Sequence, residues 1–420
     1  MNDPVSGRSE SVPVSWGMIG LLMAQAAMGH FNRVSISVAG SECLMAEHGL
    51  SEAKLGMVYS AFLLGYTLFM IPGGWMTDRQ GGRILLTCAG VGTSLCVIAT
   101  GLLGSMPAMF SLTALIAVRF CTGVAGAPLH PAAAQLVSRC VPVENRTFVN
   151  GLIIGSATIG VAVTFTIFGM LIDSMGWSNA FLASGLLTVG ITVLWSTYSG
   201  RHLAAVCGSR IPVSHSHPPA EPVALCHPRL LCLAVSYATV GYFHALFFYW
   251  LQHYFLTVHG LSVVESRWFT TIPTLAMAAG MPCGGWISDR LTLAGYSRGL
   301  VPSAGLVLSA ILVGLGVSCT RPETAIIFLT LALGTAGACE GPFWTTAAQL
   351  GGSRGGLFAA VVNTGGNAGG MLAPLLTPLL SSRIGWSGAV GAAGGLCVLG
   401  AILWRWVDGK SNRVQPTKDS

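Results

Sequence analysis

The sequence predicts an all-α membrane protein with twelve transmembrane helices in two pseudo-symmetric six-helix bundles. Three observations carry this. Only 9% of the 420 residues are charged and 52% are hydrophobic, against roughly 25% charged in a soluble domain. The apolar runs suit helices of about 20 residues, the length that crosses the hydrocarbon core. Backbone groups in lipid must bond internally, and the alternating pattern of a barrel strand is absent. Finally, the chain repeats itself. Gly73-Gly74-Trp75-Met76-Thr77-Asp78-Arg79 returns half a chain later as Gly284-Gly285-Trp286-Ile287-Ser288-Asp289-Arg290. Ala133-Ala134-Gln135-Leu136, Asn150 and Gly176-Trp177-Ser178 recur at nearly the same offset as Ala347-Ala348-Gln349-Leu350, Asn363 and Gly385-Trp386-Ser387. Two parallel halves in one membrane follow.

The polar start 1–15 runs straight into the first apolar span, so it reads as a tail and not as a signal peptide. Spans 1 (16–39) and 2 (53–75) follow, the second ending at the first heptapeptide. Span 3 (84–104) starts after Gly81-Gly82-Arg83, and span 4 (107–136) ends in the first Ala-Ala-Gln-Leu. Spans 5 (148–172) and 6 (177–199) follow. The first bundle is therefore 16–199. A linker, 200–228, carries Pro212, Pro218, Pro219 and Pro222 with His202, His215, His217 and His227. No Cys or acid frames these histidines, so a flexible connection is expected there, not a metal site. The second bundle, 229–407, repeats the order with spans 229–256, 264–287, 300–319, 323–350, 355–380 and 386–407, and 408–420 is a polar tail.

Of 21 cationic residues, Lys54, Arg267, Arg321 and Arg383 lie beside one set of loops, Arg33 and Arg119 lie within spans, and the other fifteen lie on the opposite side. That asymmetry places both termini in the cytoplasm, and the chain in an inner or plasma membrane. The cations are dispersed, so the net charge of +6 is no nucleic-acid footprint. The 12 cysteines stand singly, without metal or disulfide spacing, and read as small apolar core residues. Asn145-Arg146-Thr147 fits a glycosylation sequon on the wrong side of the membrane. The glycine-rich stretch from Gly334 follows no strand and so reads as helix packing, not a nucleotide loop. No cofactor or metal is expected.

Twelve spans, a central loop and Gly74-x-x-x-Asp78-Arg79-x-Gly81-Gly82-Arg83 resemble the major facilitator superfamily. The resemblance implies two bundles rocking about a midplane cavity. Asp78, Arg79 and Arg83, with Asp289 and Arg290 in the second copy, would then form breakable clamps that gate it. Finer features resemble the anion:cation symporter branch, which includes hexuronate, galactonate and phthalate carriers and sialin relatives. They are Asn32-Arg33-Val34-Ser35-Ile36-Ser37-Val38-Ala39, Arg119-Phe120-x-x-Gly123-x-x-Gly126-Ala127-Pro128, Phe248-Tyr249-Trp250-Leu251, Phe343-Trp344 and Asn363-x-x-Gly366-Asn367-x-x-Gly370-x-x-x-Pro374. Nearly the whole chain outside tails and linker is covered. Two positions depart from that branch: its first-helix Asp is Asn32 here and its fourth-helix Glu is Gly126.

An ionisable group at mid-membrane is costly and so points to function. Arg33 is expected to grip a substrate carboxylate bidentately. Arg119 either lines the cavity or braces its helix. Glu340 is the one carboxylate well inside a span and, by the repeat, mirrors the position of Gly126; it is the first candidate for the coupling proton. His130 and His244 are the others, with His30 weaker. Asn363 and Asn367 share a helix face and suit the polar groups of a solute, while Tyr249 and Trp344 would add ring contacts. The expected function is secondary transport of a small organic anion, a sugar acid or other carboxylate, by proton-coupled uptake in a monomer. The alternatives are an organic-anion exporter or exchanger and a non-transporting membrane sensor of the same fold. No nucleophile–base constellation suggests an enzyme, and no ATP-binding motif suggests a primary pump.

Overall fold

The computed structural model describes residues 15–105, 111–142, 145–207, 227–351 and 355–408. They are helical with no strand among them. Helix α1 (Trp16–Ala39) runs through a π-helix, Gly40–Leu44, into the single turn α2 (Met45–His48). Gly49 ends this turn at a positive φ of 59°. Ser51 then caps α3 (Glu52–Gln80) by accepting from the Lys54 amide. Helix α4 (Gly82–Ser105) follows, then α5 (Leu112–Gly126), α6 (Leu129–Cys140) and α7 (Arg146–Cys207). The second half holds α8 (Pro228–Val258), α9 (Val263–Leu293), α10 (Leu300–Ser318), α11 (Pro322–Ala338), α12 (Glu340–Gly351) and α13 (Gly355–Asp408).

Twelve crossings result. Eight helical stretches are long and apolar enough to span a membrane. Two of them, Phe148–Arg201 and Phe358–Val407, turn back at Gly176 and Gly385 and so cross twice. Helices α1 and α9, of 24 and 31 residues, have the length for the other two crossings. The repeated Gly-Trp-Ser is thus a backbone device: Gly176 has φ 78° and Gly385 φ 73°, values that cost a β-carbon-bearing residue dearly.

Two expectations need correction. Spans 4 and 10 are each two helices, not one, broken at Ala127–Pro128 and at Cys339. Pro128 and Pro342 lack the N–H that would close the ladder one turn back, so each crossing bends at the same place in its half. The cysteines are also not uniformly free thiols, because Cys140 is disulfide-bonded. Cys339 and Cys397 are buried in the apolar core as expected, whereas Cys88, Cys121 and Cys283 are exposed on the helix surfaces and are not core residues. Of the linker histidines, His227 accepts from the Arg229 amide and caps α8. His215, His217 and the terminal tails lie outside the described residues.

Glycine lets the helices touch. A β-carbon on Gly241 would run into the Gly366 carbonyl, and one on Gly369 into that of Ala238, so α8 and α13 pack backbone to backbone. Between the halves, α3 packs on α13 and α7 on α9. Gly56 lies against the Pro374 carbonyl, and the Ser60 hydroxyl donates to the Met371 carbonyl at 2.8 Å.

Candidate functional site

A cavity of about 160 Å³ opens between the halves. The first half contributes Arg33 of α1 and Leu63 of α3. The second contributes Tyr237, His244 and Phe248 of α8, Glu340 of α12, and Asn363 and Asn367 of α13. The break in the tenth crossing positions the acid. It makes Glu340 the first residue of α12, where free backbone amides favour a carboxylate. Three side chains converge on it. Tyr237 Oη donates to Oε2 at 2.7 Å, Trp344 Nε1 reaches the same oxygen at 3.2 Å, and His244 Nδ1 lies 3.5 Å from Oε1. Glu340 and His244 are both nearly buried, and His244 Nε2 has no hydrogen-bond partner. Asn367 is oriented by Asn363, donating to its carbonyl at 3.1 Å, and the Asn363 amide lies 3.3 Å from Met70 Sδ in the other half.

Arg33 belongs also to a smaller pocket of about 30 Å³ within the first half, where it meets His30, Tyr66, Gly126 and His130. The two imidazoles meet edge to face at 5.2 Å. The guanidinium lies 5.5 Å from the Phe62 ring and 6.0 Å from that of Tyr66, and among the described residues it has no ion-pair partner. Its Nε is buried with no hydrogen-bond partner. Arg33 thus carries its charge beside the cavity with ring contacts in place of a carboxylate.

Arg119 is different. It is fully buried and donates to the carbonyls of Asn32 (3.3 Å) and Arg33 (2.7 Å). It therefore braces α1 at the residue that faces the cavity. Asn32 is equally structural, donating to Thr188 at 2.8 Å and accepting from Ser184 at 3.1 Å. Tyr249 does not line the cavity. Its ring is 1% exposed and stacked on Tyr59 of α3 at 5.0 Å, which covers that face of α8. Trp344 stands at the cavity's edge, partly exposed, and reaches it through its bond to Glu340.

The residues expected to form clamps are not paired with one another in this structure. Asp78 is reached by Gln135 Nε2 at 3.4 Å, while Arg79 stacks on Trp75 and Arg290 on Trp286. No ion pair among the described residues joins Asp78 or Asp289 to Arg79, Arg83 or Arg290. The repeated Ala-Ala-Gln-Leu explains part of the motif. Gln135 accepts from the Gly82 amide at 2.6 Å and donates to the Thr77 carbonyl at 3.0 Å, bracing the turn from α3 to α4.

At the end of the bundle that holds the α1–α3 connection, two polar clusters join the halves. Arg267 of α9 donates to both oxygens of Glu42 at 2.8 Å and to Asp173, whose Oδ1 is 2.8 Å away. Gln252 of α8 adds a bond to Glu42 at 2.6 Å. Beside it, Glu52 of α3 meets His253 at 2.8 Å and Trp386 at 3.1 Å. Both clusters join the two halves. The hydrogen bond from Arg267 holds the Asp173 carboxyl below its ordinary range, and His253, aided by Trp386, does the same for Glu52. Sequence reasoning counted Arg267 only as a loop cation. An arginine at the start of an apolar span was the available signal, but its partners come from α7 and the π-helix, far away in sequence.

Comparison with known proteins agrees with this architecture. The chain is 25% identical to a probable sulfoacetate transporter of Cupriavidus necator over 88% of its length and 87% of the relative's. It is 24% identical to a probable galactarate/D-glucarate transporter of Escherichia coli over 99% of both. It is also 24% identical to a D-galactonate transporter of Escherichia coli, over 92% and 93%. Among solved structures, a bacterial homologue of the human lysosomal transporter Spinster, inward-facing and occupied, superposes with a TM-score of 0.77 at 17% identity, covering 95% and 98% of the two chains. The inward-open xylose transporter of Escherichia coli gives 0.73 at 14% identity, covering 95% and 98%. The profile of the Major Facilitator Superfamily matches residues 19–361, and with the twelve crossings and the inter-bundle cavity this makes the chain a member of that superfamily of membrane transporters, not an enzyme.

Proposed function

We propose that the chain is a secondary transporter of a small organic anion, a sugar acid or comparable carboxylate, coupled to protons and working by alternating access. The observation that carries this is the pairing across one cavity of an unpaired Arg33 with the Glu340–Tyr237–His244 cluster. A guanidinium with no counter-ion suits a carboxylate or sulfonate. A nearly buried carboxyl, held by two neutral donors and an imidazole, suits loading and release of a proton as access alternates. The named relatives transport acids of this class. With the termini in the cytoplasm, closure of the opposite end makes this the inward-facing state, and release into the cytoplasm its task. Asp78, Arg79, Arg83, Asp289 and Arg290 would then pair only when the cytoplasmic end closes. The first and second six-helix bundles, 16–199 and 229–407, are the moving bodies.

One observation favours exchange as the second reading. The first bundle offers Arg33 no carboxylate, and Asn32 is held in a cage of hydroxyls instead. The test is uptake of labelled sugar acids into proteoliposomes with and without an inward proton gradient. Accumulation that follows the gradient supports coupled uptake. Uptake only against a preloaded anion supports exchange. Binding with no flux supports a sensor.

A further inference from the structure

The two oxygens of Glu340 have different neighbours. Oε2 accepts from Tyr237 at 2.7 Å and from Trp344 at 3.2 Å, while Oε1 faces His244 Nδ1 at 3.5 Å. The imidazole therefore has two unlike ends. Nδ1 meets the carboxyl. Nε2, on the far side of the ring, is buried without a hydrogen-bond partner, on a residue that lines the cavity. Phe248 at 6.2 Å and 27° and Phe243 at 6.2 Å and 59° flank the ring and hold it in this orientation. Among the described residues, the ionisable side chains that line the cavity are Arg33 of α1, Tyr237 and His244 of α8 and Glu340 of α12. Helices α3 and α13 face it with Leu63, Asn363 and Asn367, which do not titrate. With the Arg33 cation in the same cavity, a doubly protonated ring would meet a like charge, whereas a change of tautomer leaves the ring neutral.

We infer that His244 is a two-ended proton relay between the cavity and Glu340, and that its tautomer reports the state of Glu340 to the solute. This rests on the coupled-uptake reading above and assigns the proton its route. With Glu340 ionised, Nδ1–H points at Oε1 and Nε2 is a bare acceptor. A proton arriving from the cavity bonds to Nε2, the Nδ1–H bond breaks, and its proton bonds to Oε1. The ring begins and ends neutral, and Glu340 has gained one proton, which it donates back to the bare Nδ1. The separation of 3.5 Å is long for this transfer, as such contacts often are before a site closes round its ligand. The two bonds on Oε2 leave Oε1 as the oxygen that exchanges. For the solute the consequence is a change of sign. Nε2–H donates to a carboxylate or carbonyl oxygen, and a bare Nε2 repels one. Loading Glu340 thus strengthens the hold on an acceptor oxygen beside His244, and release of the proton weakens it.

The test is the nitrogen NMR spectrum of the full-length protein, its histidines carrying the heavy nitrogen isotope, read as the pH is lowered with no solute present. The His244 signals are identified by their loss in His244→Gln. The bare nitrogen should pass from Nε2 to Nδ1 as the pH falls, and should stay in one place in Glu340→Gln, which has no proton to exchange. Accumulation and counterflow of labelled D-galactonate in proteoliposomes give the second readout. Glutamine can hydrogen-bond but cannot pass a proton from one end to the other. His244→Gln should therefore slow gradient-driven accumulation by about tenfold or more and change counterflow by less than about twofold. His244→Asn serves both purposes if the glutamine variant does not fold. A ring that keeps one tautomer, or that takes up a second proton, overturns the relay and leaves coupled uptake standing. So does gradient-driven accumulation at the unaltered rate in either folded variant. No gradient-driven accumulation by the unaltered protein overturns the coupled-uptake reading and the relay with it.

Discussion

Replacing Arg267 with methionine should open the end of the bundle that this conformation keeps shut. The guanidinium is 3% exposed and Glu42, its main partner, is 3% exposed, with two bonds of 2.8 Å between them. Removing one member of such a buried pair costs about 3–5 kcal/mol, mostly because the other charge is left uncompensated. Asp173 is 55% exposed, so its share is screened and adds only about 0–1 kcal/mol. Since each 1.4 kcal/mol or so is a factor of ten, the closed end should lose roughly two to four orders of magnitude relative to the open one. The assay is a spin-label distance between Lys54→Cys and Val264→Cys, exposed positions on opposite halves at that end, in a background lacking other reactive cysteines. Arg267→Met should shift the distribution to longer distances, and Asp173→Asn should shift it far less. Adding Glu42→Gln to Arg267→Met removes the orphaned charge and should return much of the closed population. An unchanged distribution in Arg267→Met, or an equal shift from Asp173→Asn, would refute this account of the closure.

Four more outcomes are expected. Arg33→Lys should weaken anion binding by about 10- to 100-fold while the protein still inserts, since a charge-assisted hydrogen bond is worth roughly 1.5–3 kcal/mol; equilibrium binding checks it. Glu340→Gln should abolish pH-driven accumulation yet keep counterflow, because glutamine holds the hydrogen bonds and cannot titrate. Asp78→Asn and Asp289→Asn should slow transport more than they change affinity, with the first more damaging because Gln135 and the Gly81-Gly82-Arg83 turn support it; stopped-flow flux beside binding separates the two effects. The closing contact of Glu52 should be lost as the pH falls below the carboxylate range. The hydrogen bond from His253 holds its carboxyl below the ordinary range in the closed state, so closure draws support from the ionised carboxylate and loses it as that carboxylate is protonated, which the same spin-label pair would report.

The sequence by itself determined the fold class, the crossings and the inner symmetry. Apolar length and lipid's demand for internally bonded backbone leave a chain with 9% charge little other choice. The repeats could also be read residue by residue, since Gly176 and Gly385 turn the chain at matching places. Arg33, Glu340, His244, Asn363 and Asn367 were singled out by cost and by spacing, and they meet at one cavity. Tertiary structure decided what periodicity does not encode. Arg119 and Arg33 look alike in sequence, yet one is spent on helix carbonyls and the other faces open space. Tyr249 is on the right helix but on the face that packs against Tyr59. The Glu42–Arg267–Asp173 closure joins residues 225 and 94 positions apart. Which loop carboxylate meets which arginine depends on how two bundles lean together, and no local pattern in either half records that angle.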